Sequence, residues 1–172
     1  MKITEELIKQ VCINSCNGGI IYAIGNGGSS SEASHLVAEL IGKFRNVRRP
    51  IKAVALTNEA VITCIANDFG YENIFSRQLE ALLEHRDILF VFTTSGESKN
   101  ILRALDVAYS IGCLTICICG ENYKHLKCNF ILSAKGKTAD KIQEVHIKYV
   151  HEFVEKLEKY LGETKSESKR TN

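Results

Sequence analysis

Two periodicities alternate along the chain. Compact apolar runs at residues 20–24, 51–56, 88–93, 114–119 and 130–133 read as strands. The third is apolar almost throughout, as a strand covered on both faces should be. Between the runs, apolar residues recur at helical spacing. That spacing predicts helices over 4–16, with Leu7, Ile8 and Val11 on one face, and over 30–44, with Ala33, Val37, Leu40 and Ile41 on the apolar stripe. Further helices are predicted over 58–66, 72–84, 99–111 and 138–161, with Gly112 as the terminator of the fifth and a helical turn at 123–127. The polar break Asn46-Val47-Arg48-Arg49-Pro50 holds the only proline. Strands alternating with helices give an α/β chain with a parallel sheet, and right-handed crossovers make it a three-layer sandwich with a five-stranded parallel sheet. Residues 1–162 form one domain in this reading, and 163–172 a polar, frayed tail.

Composition narrows the class. The chain has 172 residues, 45% of them apolar, and a net charge of +2 with both signs mixed throughout. That balance gives no footprint for nucleic acid. The first ten residues carry charges where a signal peptide needs an apolar core, and no apolar run approaches the ~20 residues of a membrane span. A cytoplasmic protein without a membrane partner is expected. The seven cysteines include no CxxC pair, and most lie in apolar runs, so reduced core thiols are expected rather than a cysteine metal cluster.

The chemistry concentrates in a few stretches. Gly25-Asn26-Gly27-Gly28-Ser29-Ser30-Ser31 joins the first strand to a helix start. Glycines admit unusual backbone angles, and the first N–H groups of a helix attract anions. The stretch is either a phosphate or polyhydroxyl site or a tight turn with a serine cap. It is neither a dinucleotide nor a nucleoside triphosphate loop. Thr93-Thr94-Ser95-Gly96-Glu97-Ser98, at the end of the third strand and just beyond it, holds four hydroxyls and a glycine, and suits a phosphomonoester or a capping turn. Both loops fall at strand C-termini, where ligands of such sheets bind. His35 and Glu39 share one helix face and fit a divalent metal, proton transfer or a plain surface pair. On the last helix Gln143 and His151 lie eight positions apart, about two turns, with His146 on another side. Asp68, expected in a loop after a helix, caps the next helix or binds a sugar hydroxyl.

Taken together with Thr63, Ala66-Asn67-Asp68-Phe69-Gly70-Tyr71-Glu72, Phe75-Ser76-Arg77-Gln78 and Ile142-Gln143-Glu144-Val145-His146, these segments resemble the phosphoheptose isomerase family of the SIS (sugar isomerase) fold. The resemblance spans about residues 20–160. It implies a flavodoxin-like five-stranded sandwich, an aldose–ketose isomerase acting on sedoheptulose 7-phosphate in heptose synthesis for surface polysaccharide, homotetramers with interfacial sites, and zinc. By motif position it implies metal ligands His35, Glu39, Gln143 and His151. Substrate contacts would come from Asn26, Gly27, Gly28, Ser29, Glu39, Asn67, Asp68, Thr93, Thr94, Ser95, Ser98, Asp140 and Gln143. Glu39 would be the base and His151 the acid. The alternatives are a non-catalytic SIS phosphosugar-binding regulator, of the type that associates with a replication initiator, and an SIS isomerase of another phosphosugar. Three departures stand out: a shorter segment before the glycine turn, Glu97 where asparagine is usual, and Lys43 where arginine is common.

Overall fold

The structure, a computed structural model, describes residues 3–123 and 126–168. Its strands are β1 (Ile21–Gly25), β2 (Ala53–Ala55), β3 (Ile88–Thr93), β4 (Leu114–Gly120) and β5 (Phe130–Ala134). Its α-helices are α1 (Glu5–Cys16), α2 (Gly28–Ile41), α3 (Glu59–Phe69), α4 (Ser76–Leu82), α5 (Lys99–Ile111) and α6 (Ala139–Ser168). The strands form one sheet in the order β2-β1-β3-β4-β5, all pairs parallel. This is the flavodoxin-like order, and its direction reverses between β1 and β3.

The sheet is buried on both faces because its side chains alternate between two cores. Ile21, Ala23, Ile88, Phe90, Phe92, Ile116 and Ile118 pack with Leu7, Leu36, Leu40, Phe153 and Leu157, on the side of α1, α2 and α6. Tyr22, Ile24, Leu89, Val91, Cys117 and Cys119 pack with Ile65, Leu79, Ile101 and Leu105, on the side of α3, α4 and α5. The register is continuous across the middle of the sheet: Ile21 faces Ile88, and Ile88 faces Leu114. All seven cysteines are free thiols, and Cys12, Cys113, Cys117 and Cys119 are buried. Among the described residues no helix is long and apolar enough to cross a membrane.

Several boundaries depart from the sequence reading, among them that of α3, which runs on to Phe69 rather than ending at residue 66. α2 begins at Gly28 rather than residue 30, with Gly27 at its N-cap and no side-chain cap, so no serine caps it. It ends at Ile41, where Gly42 follows, and Phe44 is released from the helix. The segment 51–56 pairs only over Ala53–Ala55, because β2 is an edge strand bonded to β1 alone. The helix expected over 72–84 is a 3-10 turn, Tyr71–Asn73, followed by the shorter α4. α6 continues through Gly162 to Ser168, since one glycine costs a helix only about 1 kcal/mol. Residues 124 and 125 of the expected turn at 123–127, and residues 169–172 of the expected tail, lie outside the described residues.

Candidate metal centre and active site

The two hydroxyl-rich loops leave β1 and β3, the neighbours at which strand order reverses, and a crevice for ligands is expected there. Gly27 holds φ +54, a left-handed conformation that favours glycine. A Cβ on Gly28 would meet the Gln143 amide, so the end of that side chain rests directly against the start of α2. Asn26 and Asn100 exchange hydrogen bonds: each Nδ2 donates to the other's Oδ1, at 2.9 and 2.8 Å. The Tyr71 hydroxyl also donates to Asn26 Oδ1 at 3.0 Å. Asn100 is buried, so one closed amide pair ties the glycine turn to the start of α5.

In the second loop the Thr93 hydroxyl accepts from the Gly96 N–H at 3.1 Å, and Ser95 Oγ accepts from the Glu97 N–H at 3.2 Å. Ser98 occupies the N-cap position of α5, yet its side chain makes no capping bond. The helix therefore starts without using that hydroxyl. Ser29 is buried at the first turn of α2.

α2 and α6 lie side by side and run in the same direction, because their partner numbers rise together. Gly28 meets Gln143, Glu32 meets His146, His35 meets His151, and beyond the end of α2 Arg48 meets Glu158. His35 Nε2 lies 3.1 Å from His151 Nε2 and 3.4 Å from Glu39 Oε1. One donor atom from each of His35, Glu39 and His151 falls within 4.8 Å of the others, and all three residues are half-buried. Phe44, freed by the early end of α2, stacks on the His151 ring with centroids 5.6 Å apart. Arg48 fixes the end of α2, donating to the Glu39 carbonyl at 2.6 Å and the Leu40 carbonyl at 2.7 Å while pairing with Glu158 at 3.2 Å. A cation at a helix C-terminus is also favoured by the helix dipole.

The donor set fits a divalent ion. Tetrahedral zinc, with bonds of about 2.0–2.1 Å, places its ligand atoms about 3.3–3.4 Å apart. The observed 3.1 and 3.4 Å lie close to that edge length.

The remaining expected residues fall into separate groups. Gln143 reaches Gly28, about two turns along α6 from His151. Asn67 and Asp68 are exposed in the last turn of α3, not in a loop. Asp68 caps no helix: its carboxylate accepts from Asn67 Nδ2 at 2.8 Å and faces the Cys64 thiol at 3.7 Å. Thr94 is half-buried beside the exposed Ser95. Asp140 is exposed at the start of α6, and a hydrogen bond from the Thr138 hydroxyl holds its carboxyl below the usual range. The sequence reading passed over Glu32, Asn100, Arg48, Glu158 and Phe44. Asn100 carried the only usable signal, an amide two positions past the Ser98 cap.

The chain matches the SIS domain family over residues 5–120. It is 34% identical to the phosphoheptose isomerase of Fusobacterium nucleatum, over 93% of this chain and 84% of that protein. It is 42% identical to the phosphoheptose isomerase of Geotalea daltonii, over 84% of this chain and 77% of that protein. The solved phosphoheptose isomerase of Francisella tularensis superposes with a TM-score of 0.79 at 34% identity, covering 88% of this chain and 84% of that one. The chain belongs to the SIS domain family and, within it, to the phosphoheptose isomerases.

Proposed function

We propose that the protein interconverts sedoheptulose 7-phosphate and D-glycero-D-manno-heptose 7-phosphate through an enediol, in the cytoplasm, as the entry to heptose for surface polysaccharide. The observation that carries the reading is the convergence of Glu39 and His151, from separate helices, on one half-buried spot beside His35. A sugar phosphate has two chemically distinct ends, and the site has two matching parts. The hydroxyls of Ser95 and Ser98, Thr93, Thr94, the backbone at Gly27 and Gly28, and Ser29 suit the phosphate. Asn26, Asn67, Asp68, Asp140 and Gln143 suit the hydroxyls.

An aldose–ketose isomerisation takes a proton from the carbon beside the carbonyl and returns it to the neighbouring carbon. Glu39 is the base for the carbon-bound proton. Its Oε1 faces His35, and its other oxygen is the one assigned to the substrate. His151 passes the proton between the two oxygens, since an imidazole can both donate and accept a proton. His35, Glu39 and His151 would hold zinc, while Gln143, implied by the resemblance as a fourth ligand, lies against Gly28 about two turns away and is assigned to the substrate. A bound zinc ion would polarise the carbonyl oxygen and fix the site's geometry. A homotetramer is the assembly proposed. Val61, Phe69 and Tyr71 support it: they are 39%, 49% and 56% exposed around α3, an apolar surface that neighbouring copies would cover.

The test is turnover in deuterated water. Purified protein incubated with sedoheptulose 7-phosphate should yield the aldose with deuterium at the carbon next to its carbonyl, read by NMR. No aldose from folded, zinc-supplied protein would overturn the proposal, and so would turnover left intact when Glu39 is replaced by Gln.

A further inference from the structure

Between the glycine turn and His35, the seam of α2 and α6 holds a buried acid–base pair that the proposed chemistry does not use. Glu32 is 4% exposed and His146 is 0% exposed. His146 Nδ1 and Glu32 Oε2 lie 3.0 Å apart. Glu32 Oε1 and His146 Nε2 are also buried, and neither has a hydrogen-bond partner among the described residues. Phe92 of β3 faces the imidazole, with ring centroids 6.2 Å apart.

Two desolvated polar atoms are costly, and an apolar pair would fill the same space without them. What an apolar contact lacks is direction. Leucine against leucine tolerates a slip along the seam, whereas a single buried hydrogen bond fixes one alignment, and register is the best-attested use of buried polar groups. Alignment matters here. Glu32 precedes His35 by three positions on α2, and His146 precedes His151 by five on α6. A slip of one residue moves a side chain about 1.5 Å along a helix and about 100° around it. The 3.1 Å approach of His35 to His151 would not survive that.

We propose that Glu32 and His146 are positioning residues: their hydrogen bond sets the register of α6 against α2 and so brings His151 to His35 and Glu39. The proposal rests on reading those three residues as the site, but its geometric part stands without it.

The test pairs Glu32→Leu/His146→Leu with Glu32→Gln. The double variant removes both polar groups and strands no charge, so it should melt no lower than the parent. Its metal-free crystal structure should show the His35–His151 Nε2 separation widened beyond hydrogen-bond reach. Its affinity in a titration with zinc alone should fall about 10-fold to 100-fold. If the double variant does not fold, Glu32→Met/His146→Leu serves, since a flexible methionine fills irregular space with no polar atom stranded, and it carries the same two expectations. Glu32→Gln keeps a hydrogen-bonding partner for His146 and should match the parent in separation and zinc affinity. An unchanged separation in the leucine variants, or a widened one in Glu32→Gln, overturns the proposal. A parent that binds no zinc would instead count against the metal site, leaving the separation to decide the register.

Discussion

His35 and His151 meet through their Nε2 atoms at 3.1 Å although they stand 116 positions apart in the chain. Two imidazole nitrogens at that distance cannot both donate, so the contact needs a shared proton or a shared metal ion. With Glu39 Oε1 3.4 Å from His35, the cluster offers a third donor. Zinc titrated into metal-free protein should bind at about one per chain. His151→Ala should weaken it by about 10-fold or more. Parent-like affinity in that variant would remove His151 from the ligand set.

Glu39 is half-buried at the seam with its carboxylate facing His35, and glutamine keeps its size and a hydrogen-bonding oxygen, so Glu39→Gln should fold and melt like the parent. Loss of the base should lower kcat by about 100-fold to 10,000-fold, with a smaller effect on KM. Progress curves on sedoheptulose 7-phosphate measure both.

Ser98 separates binding from folding. Replacing a capping serine by alanine ordinarily costs about 1 kcal/mol. Here the Ser98 hydroxyl makes no capping bond, so Ser98→Ala should leave the melting temperature nearly unchanged. KM for the sugar phosphate should rise. A clear fall in melting temperature would show that the hydroxyl belongs to the helix rather than to the ligand.

The ion pairs on the α6 side differ sharply in burial. The side chains of Arg48 and Glu158 are 8% and 2% exposed, and those of Arg45 and Glu155 are 58% and 50% exposed. Glu158→Ala strands a buried guanidinium and should cost about 3–5 kcal/mol. Arg45→Ala breaks a solvated pair and should cost less than about 1 kcal/mol. Urea unfolding of both variants checks the ranking. Because Arg48 also binds the Glu39 carbonyl, Glu158→Ala should lower activity as well.

Burial pushes the thiols of Cys12, Cys113 and Cys119 up to about 12. In the unfolded chain a thiol titrates near about 8.5. As pH rises past that value, the unfolded chain gives up these protons while the folded chain keeps them. The stabilisation is therefore complete below about pH 8.5 and is lost as pH climbs towards 12. Melting temperatures should fall through this window. Replacing the three cysteines by alanine should make the fall shallower, and an unchanged slope would exclude these thiols as its source.

The sequence by itself determined the layered α/β architecture, because apolar periodicity reports burial directly. β3 and α5 appear at the predicted residues, and the glycine turn follows β1 as expected. It also determined which residue types were available for chemistry: His35 with Glu39 is a local helical pair, and the loop hydroxyls sit where strand meets helix. Only the tertiary structure decided which of these meet. The parallel seam of α2 and α6 joins His35 to His151, Glu32 to His146 and Arg48 to Glu158. The reciprocal pair of Asn26 and Asn100 joins two loops that the sequence leaves apart. The physical reason is that local patterns encode which face of an element is buried, while its angle and register against a neighbour come from packing between residues distant in the chain. For the same reason Asn67 and Asp68 could not be placed on α3, nor Gln143 against Gly28, before the helices were set on the sheet.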